Sequence, residues 1–326
     1  MLSEKLYKER RRLMIGFNIG GTKCSVSVGE EIGEKLLIKD KIVIPTEHNI
    51  SAYEMIEKMC RLAEQMTDDF SEIGISCGGP LDLKKGIILS PPNLPGWDNV
   101  EIVRYLKEKY RGSVTIQNDA NACAIAEWKY GAGKGTSNMI FLTFGSGLGA
   151  GLILNGHLYS GTNDMAGEIG HIRLAGYGPI GFGKAGSFEG FCSGNGIAEL
   201  GRIKAVEKLQ MGETVSYCAS RDALTAITAK SIAECAMAGN EDAKEIYRIC
   251  GEKLGEGISI LIDILNPELI VIGSVFQRSE ILLRASMEEM IKNESLSYSR
   301  KVCRIVPAEL TENIGDYAAL SVATMK

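Results

Sequence analysis

Apolar positions along this chain alternate in short runs and recur every three or four residues in longer ones, and the two kinds of segment interleave. Leu13–Val28 (LMIGFNIGGTKCSVSV) alternates around a pair of glycines, which predicts two strands joined by a tight turn. Lys35–Ile44 predicts a third strand. Met55, Ile56, Met59, Leu62 and Ala63 recur at helical spacing and predict a helix over Ala52–Met66. Ile73–Ser76 is a short apolar strand running into a turn at Gly78, Gly79 and Pro80. Ser90–Trp97 (SPPNLPGW) must be loop, because proline breaks a strand ladder. Val100–Lys109 predicts a helix, Val114–Gln117 a strand ending at Asn118 and Asp119, and Ala120–Tyr130 a further helix.

The second half repeats the theme. Asn138–Thr143 reads as a strand, the glycine turn FGSGLGAG follows, and Gly151–Leu154 reads as the next strand. This echo of the first strand–glycine–strand unit predicts two similar domains. Helical spacing covers Ile227–Ala238 and Asp242–Leu265, the latter stopped by Asn266-Pro267. Leu269–Ile272 is a buried strand before Gly273-Ser274, Arg304–Ala308 another strand, and Asp316–Met325 a last helix. Strands handing over to helices in both halves predict an α/β fold.

Composition narrows the function. A chain of 326 residues is long for a single core, which agrees with two domains. With 45% apolar and 24% charged residues it is an ordinary globule, and a net charge of −5 supplies no basic field for nucleic acid or an anionic membrane. No apolar run approaches the ~18 residues of a membrane span. The basic opening MLSEKLYKERRR precedes too poor an apolar stretch to be a signal peptide, so Arg10, Arg11 and Arg12 read as a solvated flank. The nine cysteines are scattered without a CxxC, as expected of small buried hydrophobes in a reducing cytoplasm. Glycine stands out at 38 residues, roughly 12% against a usual ~7%, so the fold needs close backbone approaches.

Those glycines mark the candidate chemistry. Gly20, Gly21 and Thr22, with Lys23, form a turn whose N–H groups and hydroxyl suit phosphate oxygens, or an ordinary hairpin. Gly145, Ser146, Gly147 and Gly149, with Thr143 just before them, form a second such turn. Two turns of this kind can clasp one polyphosphate from both sides, and Gly273-Ser274 suits a flat base or ribose. Asp119, where a strand meets a helix, suits a general base that takes the proton of an attacking hydroxyl, or a helix cap. Asn118 beside it can donate and accept hydrogen bonds. Glu168, His171 and Glu189, with Asn93 and Asn99 near the proline loop, suit a polyol, whose hydroxyls need donors and acceptors; Trp97 suits packing.

Taken in order, IGFNIGGTKCSVSVG, GGPLD, SPPNLPGWDNV, NDANACAIAEWKYGAGKG, LTFGSGLGAGLILNGHLYSGTNDMAGEIGH and NPELIVIGS resemble the ROK family of bacterial sugar kinases and sugar-responsive repressors. The resemblance runs from about Leu13 to the C-terminus. It implies two ribonuclease-H-like domains of the actin-like ATPase type around an interdomain cleft: residues 1–125, rejoined by the C-terminal helix 316–326, and residues 126–315. It implies transfer of the γ-phosphoryl of MgATP to a hexose or N-acetylhexosamine hydroxyl, with glucose the default. Asn18, Gly20, Gly21, Thr22, Lys23, Thr143, Gly145, Ser146, Gly147, Gly149 and Gly273 then belong to the nucleotide, Asp119 is the base, and Gly79, Asn93, Asn118, Glu168, His171 and Glu189 meet the sugar. A cytoplasmic homodimer is the implied state. Choice of sugar falls to the loops Ser160–Asp164 and Gly176–Gly186.

Two positions depart from the family pattern. Asn18 stands where an aspartate usually helps hold magnesium, and the lost charge predicts weaker metal binding and slower turnover. The rival reading is therefore a sugar binder with little or no catalysis. Ile180, Phe182 and Ser187 stand where many members carry zinc-binding cysteines, so no zinc is expected. Ile180 and Phe182 are expected to fill that place as an apolar packing cluster, leaving His171 for the sugar. With only 13 residues before Met14, a DNA-reading module and a repressor role are not expected.

Overall fold

The computed structural model describes residues 11–325. The first sheet begins with β1 (Arg11–Ile19), β2 (Lys23–Ile32) and β3 (Lys35–Pro45), an antiparallel meander. Helix α1 (Ala52–Met66), capped by a reciprocal Ser51–Glu54 box, leads to β4 (Glu72–Cys77). A small hairpin, β5 (Leu81–Asp82) and β6 (Ile87–Ile88), precedes α2 (Ile102–Tyr110), β7 (Ser113–Asn118) and α3 (Asp119–Tyr130). The strand order is β3-β2-β1-β4-β7, with β4 and β7 parallel to β1.

The second sheet contains β8 (Met139–Leu142), β9 (Ala150–Leu154) and β10 (His157–Leu158). A loop region follows, with β11 (Ile180–Gly181), β12 (Lys184–Ala185) and α4 (Phe188–Phe191). Helices α5 (Gly194–Gln210), α6 (Ala229–Met237) and α7 (Glu241–Leu265) then lead to β13 (Leu269–Ile272), α8 (Val275–Glu294), α9 (Ser297–Val302), β14 (Arg304–Pro307) and α10 (Ile314–Ala323). The order is β10-β9-β8-β13-β14: an antiparallel meander again, then two parallel strands. The two sheets thus share one topology, and the repeat heard in the glycine turns is an architectural one.

Alternation along β1 separates its two faces. Ile15, Phe17 and Ile19 enter the core beneath α1 and α2, while Met14, Gly16 and Asn18 face α10. A Cβ on Gly74 would run into the Ala319 carbonyl and the Ala323 amide, so α10 lies almost on the backbone of the first sheet. This close seat accounts for part of the glycine excess. The expected division at 125/126 falls inside α3, which packs on β8 and β9 as well as on α10.

Among the described residues no helix is long and apolar enough to cross a membrane. All nine cysteines are free, six of them buried. Arg10 lies outside the described residues, and Arg11 is exposed. Arg12 corrects the solvated-flank expectation: its guanidinium pairs with Glu72 and donates to the Ala323 carbonyl at 3.3 Å, tying β1 to the end of α10. Two long helices escaped the periodicity. Helix α5 is interrupted by Gly196 and Gly201, which pack against Gly190 and Ile232 where side chains would mark a face, and α8 kinks at Ser279, which breaks its repeat.

Candidate active site

The C-terminal ends of β1, β4 and β7 carry Gly20-Gly21, Gly78-Gly79-Pro80 and Asn118-Asp119, and the β8–β9 turn brings Thr143–Gly149 to face them. Together they line one cleft of about 540 Å³ between the two sheets. Ligands of open α/β sheets bind at this end of the strands, where loops converge. Gly79, Asn93, Asn118, Asp119, Glu168, His171 and Glu189 all line it, as do Gly20, Gly21, Thr143, Gly145, Ser146, Gly147 and Gly149.

The first glycine turn is shaped from outside the motif. Thr46 donates its hydroxyl to the Gly20 carbonyl at 2.6 Å and its N–H to the Thr22 carbonyl at 3.0 Å. A Cβ on Gly21 would collide with the backbone of Asn93, so the proline loop lies directly on this turn. The second turn is closed by Gly145 N–H to Gly147 O at 3.0 Å and by Thr143, whose hydroxyl accepts from Gly149 N–H at 3.0 Å. The N-terminus of α5 is joined to it, because Gly194 N–H donates to the Gly145 carbonyl at 2.7 Å. The third glycine step lies alongside: a Cβ on Gly145 would be 3.9 Å from the Ser274 hydroxyl.

Four expected residues are not on the cleft wall. Thr22 and Lys23 are exposed and do not line the cleft. Gly273 closes β13 against Phe141. Asn18 sits half-buried under the first turn, its side chain against Gly315 at the start of α10. Asn99 also lies away from the cleft, and Trp97 is packed in the first core.

The helix cap that the sequence allowed at Asp119 is supplied by Asn118. Its side-chain oxygen accepts from Ala120 N–H at 3.0 Å and more weakly from Asn121 N–H at 3.4 Å, at the start of α3. Its amide nitrogen faces Gly79 and the cleft. Asp119 accepts from Ala120 N–H through Oδ1 at 2.8 Å, while Oδ2 is turned toward Gly78. The carboxylate keeps open surface on the cleft but is enclosed by protein elsewhere, and this loss of solvation pushes its pKa above the ordinary aspartate value. The Ala120 and Asn118 hydrogen bonds oppose the shift.

Glu168 precedes and His171 ends a short 3-10 turn, Ile169–His171, that is pressed onto the second glycine loop. A Cβ on Gly170 would enter the Leu148 carbonyl, so the turn can approach this closely only with glycine there. Desolvation raises the Glu168 carboxyl, and the charges of Asp119 and Glu189 raise it further. Glu189, from α4, spends Oε2 on Leu148 N–H at 3.0 Å. It therefore braces the second glycine turn as well as lining the cleft, a role its spacing in the sequence did not signal.

A family model described as the ROK family matches residues 14–325. The chain belongs to the ROK family. It is 31% identical over 283 residues to a glucokinase of Halalkalibacterium halodurans, a match that covers 84% of this chain and 83% of that one. It is also 30% identical over 244 residues to a xylose repressor of Caldicellulosiruptor bescii, covering 74% of this chain and 60% of the repressor. Among solved structures it resembles a ROK family glucokinase from Streptomyces griseus in complex with glucose and AMPPNP, with a TM-score of 0.76, 25% identity and coverage of 95% and 99%. The two domains of this ROK protein are accordingly of the actin-like ATPase type.

In this ROK protein the loop where zinc cysteines would stand does not offer zinc donors. Ile180 and Phe182 have none, and Ser187 is buried, accepting from Gly190 N–H at 3.1 Å and donating to the Gly181 carbonyl at 3.3 Å. Among the described residues no three His, Cys, Asp or Glu side chains gather closely enough to hold a metal ion. The expected apolar cluster is also absent, since Ile180 is 67% and Phe182 75% exposed. The reason is geometric. Gly181 and Gly190 let the hairpin base close directly onto α4, and the turn at its tip leaves the Phe182 ring exposed at the edge of the cleft.

Proposed function

We propose that this chain transfers the γ-phosphoryl group of ATP to a hydroxyl of a hexose or N-acetylhexosamine. One observation carries the reading: the Asp119 carboxylate is open to a cleft whose opposite walls are glycine turns, with Asn118, Glu168 and His171 beside it. In this reading the turns fix the phosphate chain with backbone N–H groups, and cleft closure excludes water. Asp119 takes the hydroxyl proton as the sugar oxygen bonds to the γ-phosphorus and the bridging oxygen leaves with ADP. Its raised pKa makes it a better base than an ordinary aspartate. The Asn118 amide and the Glu168 and His171 side chains supply donors and acceptors for the neighbouring hydroxyls.

Magnesium arriving with the nucleotide offsets phosphate charge. The donor set suits it in part: Asp119 faces the cleft, whereas Asn18 brings no charge. No zinc enters this reading. The likeness to glucokinases supports a hexose, with glucose first. The second reading, a sugar-binding regulator with weak turnover, is favoured by Asn18 and by the likeness to a xylose repressor.

A coupled ADP-release assay with MgATP over glucose, fructose, allose, N-acetylglucosamine and N-acetylmannosamine decides between them. Turnover on at least one sugar is the expected result. Absence of turnover on all of them, with a sugar raising the Tm, would establish the binder instead.

A further inference from the structure

Phe182 occupies a place that folding does not favour. It is the first of two residues between β11 and β12, in the turn Gly181-Phe182-Gly183-Lys184. Both turn residues have positive φ, 44° at Phe182 and 74° at Gly183, as a tight two-residue hairpin requires. Glycine or asparagine fills such a position without strain, whereas a phenylalanine there is a backbone outlier. Its side chain gains nothing from the core in return, because it is 75% exposed. A bulky apolar residue held at the surface in a strained backbone points to a ligand.

The hairpin is a rigid mount for that ring. A Cβ on Gly181 would strike Gly190 and Glu189, so the hairpin base lies hard against α4. Ser187 ties the base to itself through the Gly181 carbonyl, and Lys184 reaches back to donate to the His171 carbonyl at 2.6 Å. The Phe182 ring lines the cleft and stands edge-on to the His171 ring, 6.2 Å between centroids and 72° between planes. Polar groups for hydroxyls and a flat apolar face thus meet at one corner. A pyranose has both surfaces: hydroxyls around its rim and a face of C–H bonds that packs on an aromatic ring.

We propose that Phe182 is a specificity-determining wall of the sugar site, stacking on the C–H face of a hexopyranose whose hydroxyls are held by Glu168 and His171. The inference rests on the sugar-site reading above and adds to it the side chain that selects for a flat pyranose face. Asparagine tolerates a positive φ better than phenylalanine, so Phe182→Asn removes the ring while easing the turn.

The test compares wild type with Phe182→Asn, Phe182→Ala and Phe182→Tyr on the sugars of the same panel, by steady-state kinetics, by calorimetric binding of each sugar alone, and by Tm. Phe182→Asn and Phe182→Ala should raise the KM or Kd of the preferred sugar about tenfold, with the KM for ATP within twofold. Phe182→Tyr should restore it, and Phe182→Asn should not lower the Tm. Sugar affinities within twofold of wild type in the Asn and Ala variants would overturn the inference, as would sugar and ATP affinities falling together with the Tm. If the wild type binds a sugar without turnover, the kinase reading fails and the calorimetric comparison still decides the role of Phe182. If the wild type binds none of the sugars, both readings fall.

Discussion

Glu189 separates two ideas about the cleft. Read from the sequence, it is a sugar ligand; in the structure its Oε2 accepts the Leu148 N–H at 3.0 Å and lies where a Cβ on Gly147 would intrude. Glu189→Ala removes a hydrogen bond to a charged acceptor, a contact that contributes about 1.5–3 kcal/mol. If that energy holds the second glycine turn in its phosphate-receiving shape, the loss weakens nucleotide binding roughly 10- to 100-fold, at about 1.4 kcal/mol per decade. Glu189→Gln keeps an oxygen acceptor for Leu148 and should stay within about threefold for nucleotide. Calorimetry with AMPPNP reads the effect without relying on turnover, and the KM values for ATP and sugar divide it between the two ligands. Wild-type nucleotide affinity in Glu189→Ala, with only sugar affinity lost, would show that the turn holds its shape unaided.

Three further outcomes follow from the same structure. Asn18→Asp should lower the magnesium concentration for half-maximal turnover severalfold; an unchanged magnesium titration would show that this position does not limit catalysis. Gly74→Ala drives a methyl group into the backbone of α10, and overpacking of this kind costs about 1–3 kcal/mol, so the Tm should fall by several degrees; an unchanged Tm would mean that α10 does not rest on the sheet as described. Enclosure raises the pKa of Asp119, and only its ionised form accepts a proton. As pH falls through that raised value kcat/KM should drop, on a limb above the ordinary aspartate value of about 3.9; a limb at or below that value would contradict the enclosure.

Much of the architecture was legible because strand alternation and glycine punctuation are local signals. The paired turns at Gly20-Gly21 and Gly145–Gly149 announced the duplicated topology, and Leu269–Ile272 was placed to the residue. The cleft was legible for a related reason: glycines and an Asn-Asp pair at strand ends are compact motifs. What stayed hidden depends on contacts distant in sequence. Nothing near Thr46 says that its hydroxyl holds the Gly20 carbonyl, and nothing near Glu189 says that it faces Leu148. Helix α5 was missed because its glycines serve neighbours, although Ser193 before Gly194-Asn195-Gly196 was an available cap signal, with its side chain accepting from Gly196 N–H. Phe182 departs from the expected packing because apolar character does not by itself bury a single residue. The two-residue turn that exposes it follows from its pairing register, Gly181 with Lys184, which composition does not encode.

In the proposed reaction the side chain at position 119 removes the hydroxyl proton at the moment of attack. Asp119→Asn keeps the shape and hydrogen-bonding capacity of that group and removes its basicity. The decisive measurement is single-turnover phosphorylation of the preferred sugar by this variant, alongside calorimetric binding of that sugar. Transfer should fall at least about a hundredfold, with sugar affinity kept within a few fold. Transfer at a rate close to wild type, with the sugar still bound, would contradict it.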